Sequence, residues 1–166
     1  MPTNYIFSFV AALIPLLIGG IWYHPKVFGT AWARAAGVTE EQLKSSNMLR
    51  IFGLTYLFGL MAALILGSIV IHQPHIYSSL LSEPGINDPN SEISLYAKDF
   101  IDKYGRNFRT FKHGAFHGAL AGLFFALPVI GINALFDRKG WRYILINAGY
   151  WVVTLALMGG VLCALL

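Results

Sequence analysis

The chain has 166 residues, 56% hydrophobic and 12% charged, where a soluble domain runs at roughly 45–50% and 25%. That balance excludes an ordinary soluble enzyme. All 12 Lys and Arg and all 8 Asp and Glu fall within 26–50, 83–112 and 137–142. The windows between them, 1–25, 51–82, 113–136 and 143–166, carry no charge, and each exceeds the ~20 residues that a helix needs to cross about 30 Å of hydrocarbon. These windows predict an all-α integral membrane four-helix bundle, a single transmembrane domain over 1–166 with short amphipathic interfacial helices. Basic residues that gather in cytoplasmic loops account for the net charge of +4, so it calls for no nucleic-acid partner.

Span one is expected at about 4–23, kinked by Pro15 and ended by His24-Pro25, since the residue before proline is pushed out of the α region. It lacks a basic segment before Tyr5 and a small-residue cleavage site, and so reads as a span and not as a secretory leader. Thr30 is placed to cap a short helix through Ala36, closed by a left-handed Gly37. Thr39 and Gln42 form a capping box that opens a helix leading into span two. Span two is expected at about 48–71, with Gln73-Pro74 as its stop.

The loop 72–112 opens with turn residues and then becomes periodic. Ile93, Tyr96, Ala97, Phe100, Ile101 and Tyr104 repeat at the spacing of one helical face, with Glu92, Lys98, Asp99, Asp102 and Lys103 on the other. This predicts an amphipathic helix over about 91–104, stopped at Gly105, lying at the interface or over the bundle. Span three, about 113–136, carries Gly114, Gly118 and Gly122 at four-residue intervals, a stripe that lets helix backbones approach closely, and Pro128 to kink its second half. Span four, about 143–165, holds Asn147, Thr154 and the single cysteine, Cys163.

Loops 26–50 and 137–142 contain Lys26, Arg34, Lys44, Arg50, Arg138, Lys139 and Arg142, against five basic residues in the loop on the other side. The excess places the two shorter loops in the cytoplasm and both termini outside. Trp22, Tyr23, Trp32, Trp141 and Tyr143 then fall at the inner interface, where amphipathic rings are favoured.

That topology gathers four of the five histidines at one end. His72 and His75 lie at the outer end of span two, and His113 and His117 at the outer end of span three, one helical turn apart. An i, i+4 pair of imidazoles can hold one metal ion, and His72 or His75 would complete the set for zinc, copper or iron, with Asp99 or Asp102 as oxygen ligand or hydrogen-bond partner. Two histidines facing each other across the spans could instead ligate a haem iron, with the neighbouring glycines making room, or neutral imidazoles could relay protons. The plainer alternative is interfacial histidines bonded to headgroups, water and helix-end carbonyls. Phosphate loops, nucleophile elbows and zincin motifs are absent, which predicts a protein that is not an enzyme. No window contains a charge, which weighs against a coupled transporter.

The motifs Gly20-Ile21-Trp22-Tyr23-His24-Pro25, Phe28-Gly29-x-x-Trp32, Gly37-Val38-Thr39-Glu40-Glu41 and Ile146-Asn147-Ala148-Gly149-Tyr150-Trp151 resemble the small membrane proteins of domain of unknown function 1761. The second-loop insertion and Phe111-Lys112-His113-Gly114 resemble a Bacteroidetes-type version. The resemblance covers nearly the whole chain and implies a multi-pass protein of the bacterial cytoplasmic (inner) membrane, without supplying an activity. Recurrence of Trp22 and Tyr23 with Asn147, Tyr150 and Trp151 suggests that the inner end of span one packs near span four.

Three functions follow. The first is a non-enzymatic structural or accessory subunit, surrounded by lipid, that joins a homo-oligomer or other membrane subunits through Gly114, Gly118 and Gly122. The second is a metal- or haem-binding protein using His72, His75, His113 and His117. The third is a small oligomeric channel or carrier lined by Asn133, Asn147 and Thr154.

Overall fold

The structure is a computed structural model that describes residues 5–166, so Asn4, the expected start of span one, lies outside the described residues. Three helices are long and apolar enough to cross a membrane: Met48–Val70, Phe111–Phe136 and Trp141–Leu165. Ile6–Trp22 and Pro25–Ala36 pass the same length and hydropathy requirement only when taken together, as a bent pair whose axes differ by 56°.

The bent pair shows how proline is accommodated. Helix α1 (Ile6–Ala11) gives way at Ala12 and Leu13 to α2 (Ile14–Trp22), with Pro15 in its first turn, where the missing N–H costs nothing. His24 is extended, with its Nδ1 accepting from the Lys26 N–H, and Pro25–Gly29 forms one wide π turn that runs into α3 (Thr30–Ala36). Thr30 is therefore not the cap expected of it. It is already helical, and its hydroxyl donates to the Pro25 carbonyl. Gly37 closes α3 at φ +73°, and Thr39 and Gln42 make a reciprocal capping box for α4 (Glu40–Lys44). That helix stops at Ser45. A new cap, Asn47 accepting from the Arg50 N–H, starts α5 (Met48–Val70).

Gln73-Pro74 starts a helix as well as ending the previous span, because proline suits a first turn. Helix α6 (Gln73–Ser79) follows directly, and α7 (Glu92–Tyr104) is capped by Ser91. On α7 only Ala97 is buried, while Tyr96 and Tyr104 of the apolar face and Leu95 beside it are at least half exposed. The opposite face carries the i, i+4 pairs Lys98–Asp102 and Lys103–Asp99. An apolar stripe left open beside a bilayer is the pattern of an interfacial helix.

Span three begins at Phe111, two residues earlier than the sequence pattern indicates, because the Thr110 hydroxyl caps it by accepting from the His113 N–H. It runs as α8 (Phe111–Ala121), a π turn over Gly122–Ala126, and α9 (Leu127–Phe136) with Pro128 in its first turn. The last helix, α10 (Trp141–Leu165), is the axis of the molecule: it packs against α8 most extensively, and also against α5, α9, α2, α1 and α3. Its buried face is built of Ala148, Thr154, Met158, Gly159, Gly160, Leu162 and Cys163.

The α8–α10 contact depends on missing side chains. A Cβ on Gly118 would lie 2.0 Å from the Leu155 carbonyl oxygen, one on Gly114 would lie 2.1 Å from that of Gly159, and one on Gly122 would lie 2.5 Å from Val152 Cα. The glycine stripe is used inside the chain, and it is not a free surface for a partner.

Candidate histidine site

At the end of the bundle where α5 stops and α8 begins, His72, His113 and His117 converge. Each offers one ring nitrogen, and these three atoms lie within 4.8 Å of one another. The Nε2 atoms of His72 and His113 are 3.1 Å apart. His113 and His117 lie one turn apart on α8, with ring centroids at 4.5 Å and planes inclined at 61°, and the His72 ring meets that of His117 edge-on at 5.2 Å. His72 is exposed, and the other two are half-buried.

Several contacts hold these rings in place. Gln73, next to His72, donates to the Asn107 carbonyl at 3.0 Å, which ties the start of α6 to the segment leading into α8. Arg109 Nε donates to the Cys163 carbonyl at 2.9 Å, and the Cys163 thiol lies 3.3 Å from the carbonyls of Val70 and Phe108. The ends of all three long spans are thereby fastened together beside the imidazoles. Phe108, at φ +61°, lays its ring 5.2 Å from that of His113. Gln73, Asn107, Arg109 and Cys163 carry no periodicity or motif, and their role emerges only once the spans are placed in register.

Tetrahedral zinc with metal–nitrogen bonds of about 2.0–2.1 Å needs ligand nitrogens roughly 3.3 Å apart. The His72–His113 separation is close to this, and the His117 nitrogen lies within 4.8 Å of both. Imidazole-only donors suit zinc, copper, nickel or iron. The same separation is too short for a porphyrin between the two rings, since two axial bonds span roughly 4 Å at about 2 Å each. Nor do Gly114 and Gly118 leave space for a macrocycle, because α10 fills it.

The other expected ligands stand apart. His75 has its ring centroid 6.4 Å from that of His72 and falls outside the three-nitrogen cluster. Asp99 and Asp102 are turned to Lys103 and Lys98 along α7 and do not reach the imidazoles, because an i, i+4 lysine is the nearer cation on an exposed face.

Beside His117 an apolar cleft of about 680 Å3 opens between α5 and span three, walled by Met61, Ile65, Leu120 and Phe125, with Trp151 and Leu155 behind. The π turn of span three forms part of its rim through Phe125 and Ala126.

At the opposite end, Trp22 Nε1 donates to the Ile146 carbonyl at 3.0 Å, and the Tyr23 hydroxyl donates to Asn147 Oδ1 at 2.9 Å. Asn147 in turn donates to the Tyr143 carbonyl, and the Tyr150 hydroxyl donates to that of Pro15. The motif residues of spans one and four thus form one lock between helices. A model of one family, described as a protein of unknown function (DUF1761), matches residues 6–163. The chain belongs to that family. Neither a curated protein nor a solved structure matches it. Trp22, Tyr23, Asn147 and Tyr150 of the first and last motifs sit in this lock, whereas Phe111-Lys112-His113-Gly114 carries one of the clustered histidines at the far end of the bundle. Asn133 is exposed, Asn147 is engaged in the lock and Thr154 is buried, so they do not line one path through the molecule.

Proposed function

We propose that this DUF1761 protein is a non-enzymatic, metal-binding membrane protein that holds a divalent first-row transition ion, zinc foremost, on His72, His113 and His117. One observation carries the reading: His72, 41 residues before His113 in sequence, meets His113 and His117 of α8, and the three imidazoles bring a ligand nitrogen each within 4.8 Å. Three nitrogen ligands leave a fourth position open for water or an exchangeable ligand. In the proposed arrangement the bent pair serves as a fourth span of the bacterial cytoplasmic membrane, and both termini face outward. The site then takes its ion from the outer side. Assembly into an oligomer or a larger complex would use surfaces other than the Gly114, Gly118 and Gly122 stripe.

The test is metal content of the full chain, purified in mild detergent, loaded with Zn(II) or Co(II) and desalted. About one ion per chain is expected, with the intense visible bands of tetrahedral Co(II). A His113→Ala/His117→Ala variant should retain none. Equal metal in the wild type and this variant, both eluting as folded protein, would overturn the proposal.

A further inference from the structure

A second cavity lies beneath the amphipathic helix, separate from the imidazoles. It encloses about 390 Å3, within the range of small-ligand sites. Ile101 and Gly105 of α7 roof it, Leu64 and Gly67 of α5 floor it, and Ser8 of α1 closes one side. Its polar groups are conspicuous because they are not satisfied. Ser8 is 1% exposed and its Oγ has no hydrogen-bond partner among the described residues, although buried hydroxyls are ordinarily paired. Gln73 Oε1 is buried and unpartnered too, its amide nitrogen being spent on Asn107. Arg109 also lines the cavity, and among the described residues only its Nε is engaged, on the Cys163 carbonyl.

These three groups specify a complementary ligand. A guanidinium calls for an anionic oxygen. A serine hydroxyl can donate to the same group, and an amide oxygen can only accept, so the ligand must also bring an N–H or O–H donor. The walls contributed by Leu64, Ile71, Ile101 and Leu166 are apolar, and Leu64, 49% exposed, carries them to the outer surface of α5. We propose that this cavity binds a phosphate-bearing headgroup that carries its own hydrogen-bond donor, of the phosphoethanolamine kind, supplied by a membrane phospholipid. The site stands on α1, α5, α6 and α7 and includes no imidazole; because Gln73 and Arg109 also brace the histidine end, Ser8→Ala is the variant that separates it from metal binding.

The experiment compares phosphatidylethanolamine with phosphatidylcholine of identical acyl chains. The two share a net charge and a phosphate, and only the first has an N–H donor. Delipidated full-length protein is exchanged into nanodiscs of each, and lipid retained on release into detergent is counted by native mass spectrometry. Retention of one phosphatidylethanolamine, at least about fivefold over phosphatidylcholine, is expected, the factor for one hydrogen bond. Ser8→Ala, which breaks no bond within the protein, should reduce retention about fivefold, and Arg109→Gln should reduce it at least tenfold. Competition by soluble phosphoethanolamine at equal headgroup concentration would support the headgroup site but transfer its source from lipid to a free phosphate ester. No preference between the two lipids, together with unchanged retention in the folded Ser8→Ala variant, would overturn the proposal.

Discussion

His72 and His113 belong to different spans, yet their Nε2 atoms lie 3.1 Å apart, so the ends of α5 and α8 meet through two imidazoles. Such a pair satisfies itself in only one way without a metal. One ring must donate and the other accept, which fixes opposite tautomers, while an ion lets both act as neutral donors of a lone pair.

That geometry ranks the histidines. His72→Ala and His117→Ala should each weaken Zn(II) binding by more than the 10–100-fold typical of losing a group that merely orients a ligand. His75→Ala should leave it unchanged, since that ring lies outside the cluster. Competition titration with a chromophoric chelator measures all three. A His75 variant as weak as the His72 variant would show that the ligand set has been misassigned.

The glycine stripe gives the second prediction. Gly118→Ala sets a methyl group against the Leu155 carbonyl with no flexible side chain to give way, so a loss of about 1–3 kcal/mol is expected. Gly53→Ala has nothing within 4 Å to meet and should be neutral or gain about 0.4–1 kcal/mol. Thermal unfolding in one detergent compares the two, and both variants should elute at the wild-type size if the stripe serves packing within the chain.

How far the sequence discloses this arrangement depends on the range of the forces involved. Charge-free windows mark the three long helices because hydrocarbon excludes charge over a whole span. Thr39 with Gln42 and Gly37 act within one turn, so their sequence pattern is sufficient. Proline is ambiguous at short range: Pro15, Pro74 and Pro128 are read as kinks or stops, but each sits in the first turn of a new helix. The π turns at Pro25–Gly29 and Gly122–Ala126 leave no periodic trace, since five residues are too few to shift a hydropathy pattern. For the site, topology puts His72, His75, His113 and His117 at one end. Which of them meet is decided by the phase of α8 against α5, set through their common packing on α10 by contacts such as Gly114 on Gly159, a partner that lies far from any histidine in sequence.

The lock between spans one and four is measurable as a pairwise energy. Tyr23 and Asn147 share a hydrogen bond of 2.9 Å, and Tyr23 also packs against Tyr150 at 5.3 Å between ring centroids. In a double-mutant cycle of Tyr23→Phe and Asn147→Ala the coupling should be about 0.6–1.7 kcal/mol, the range for hydrogen bonds between membrane helices. A coupling near zero would mean that the aromatic packing holds the helices without the polar contact.

The last prediction concerns the membrane itself. The bent pair counts as one crossing only if its second arm lies in the interface, and α3 has the means to do so. Thr30–Ala36 is short, exposes Val27 and Phe28 on the turn before it, and is pinned at its end by Lys139 Nζ donating to the Ala36 carbonyl at 2.5 Å. That bond ties loop 26–50 to loop 137–142 on one side of the membrane, the side rich in Lys and Arg. In a Cys163→Ala background, Ser46→Cys should therefore be shielded from a membrane-impermeant maleimide added to intact cells, while Tyr5→Cys, ahead of the bent pair, and Asn90→Cys, in the loop after span two, should react. Lysis should expose Ser46→Cys. Shielding of Tyr5→Cys together with Ser46→Cys would remove the crossing by the bent pair, and labelling of Ser46→Cys with shielding of Asn90→Cys would reverse the assignment of the histidines to the outer face.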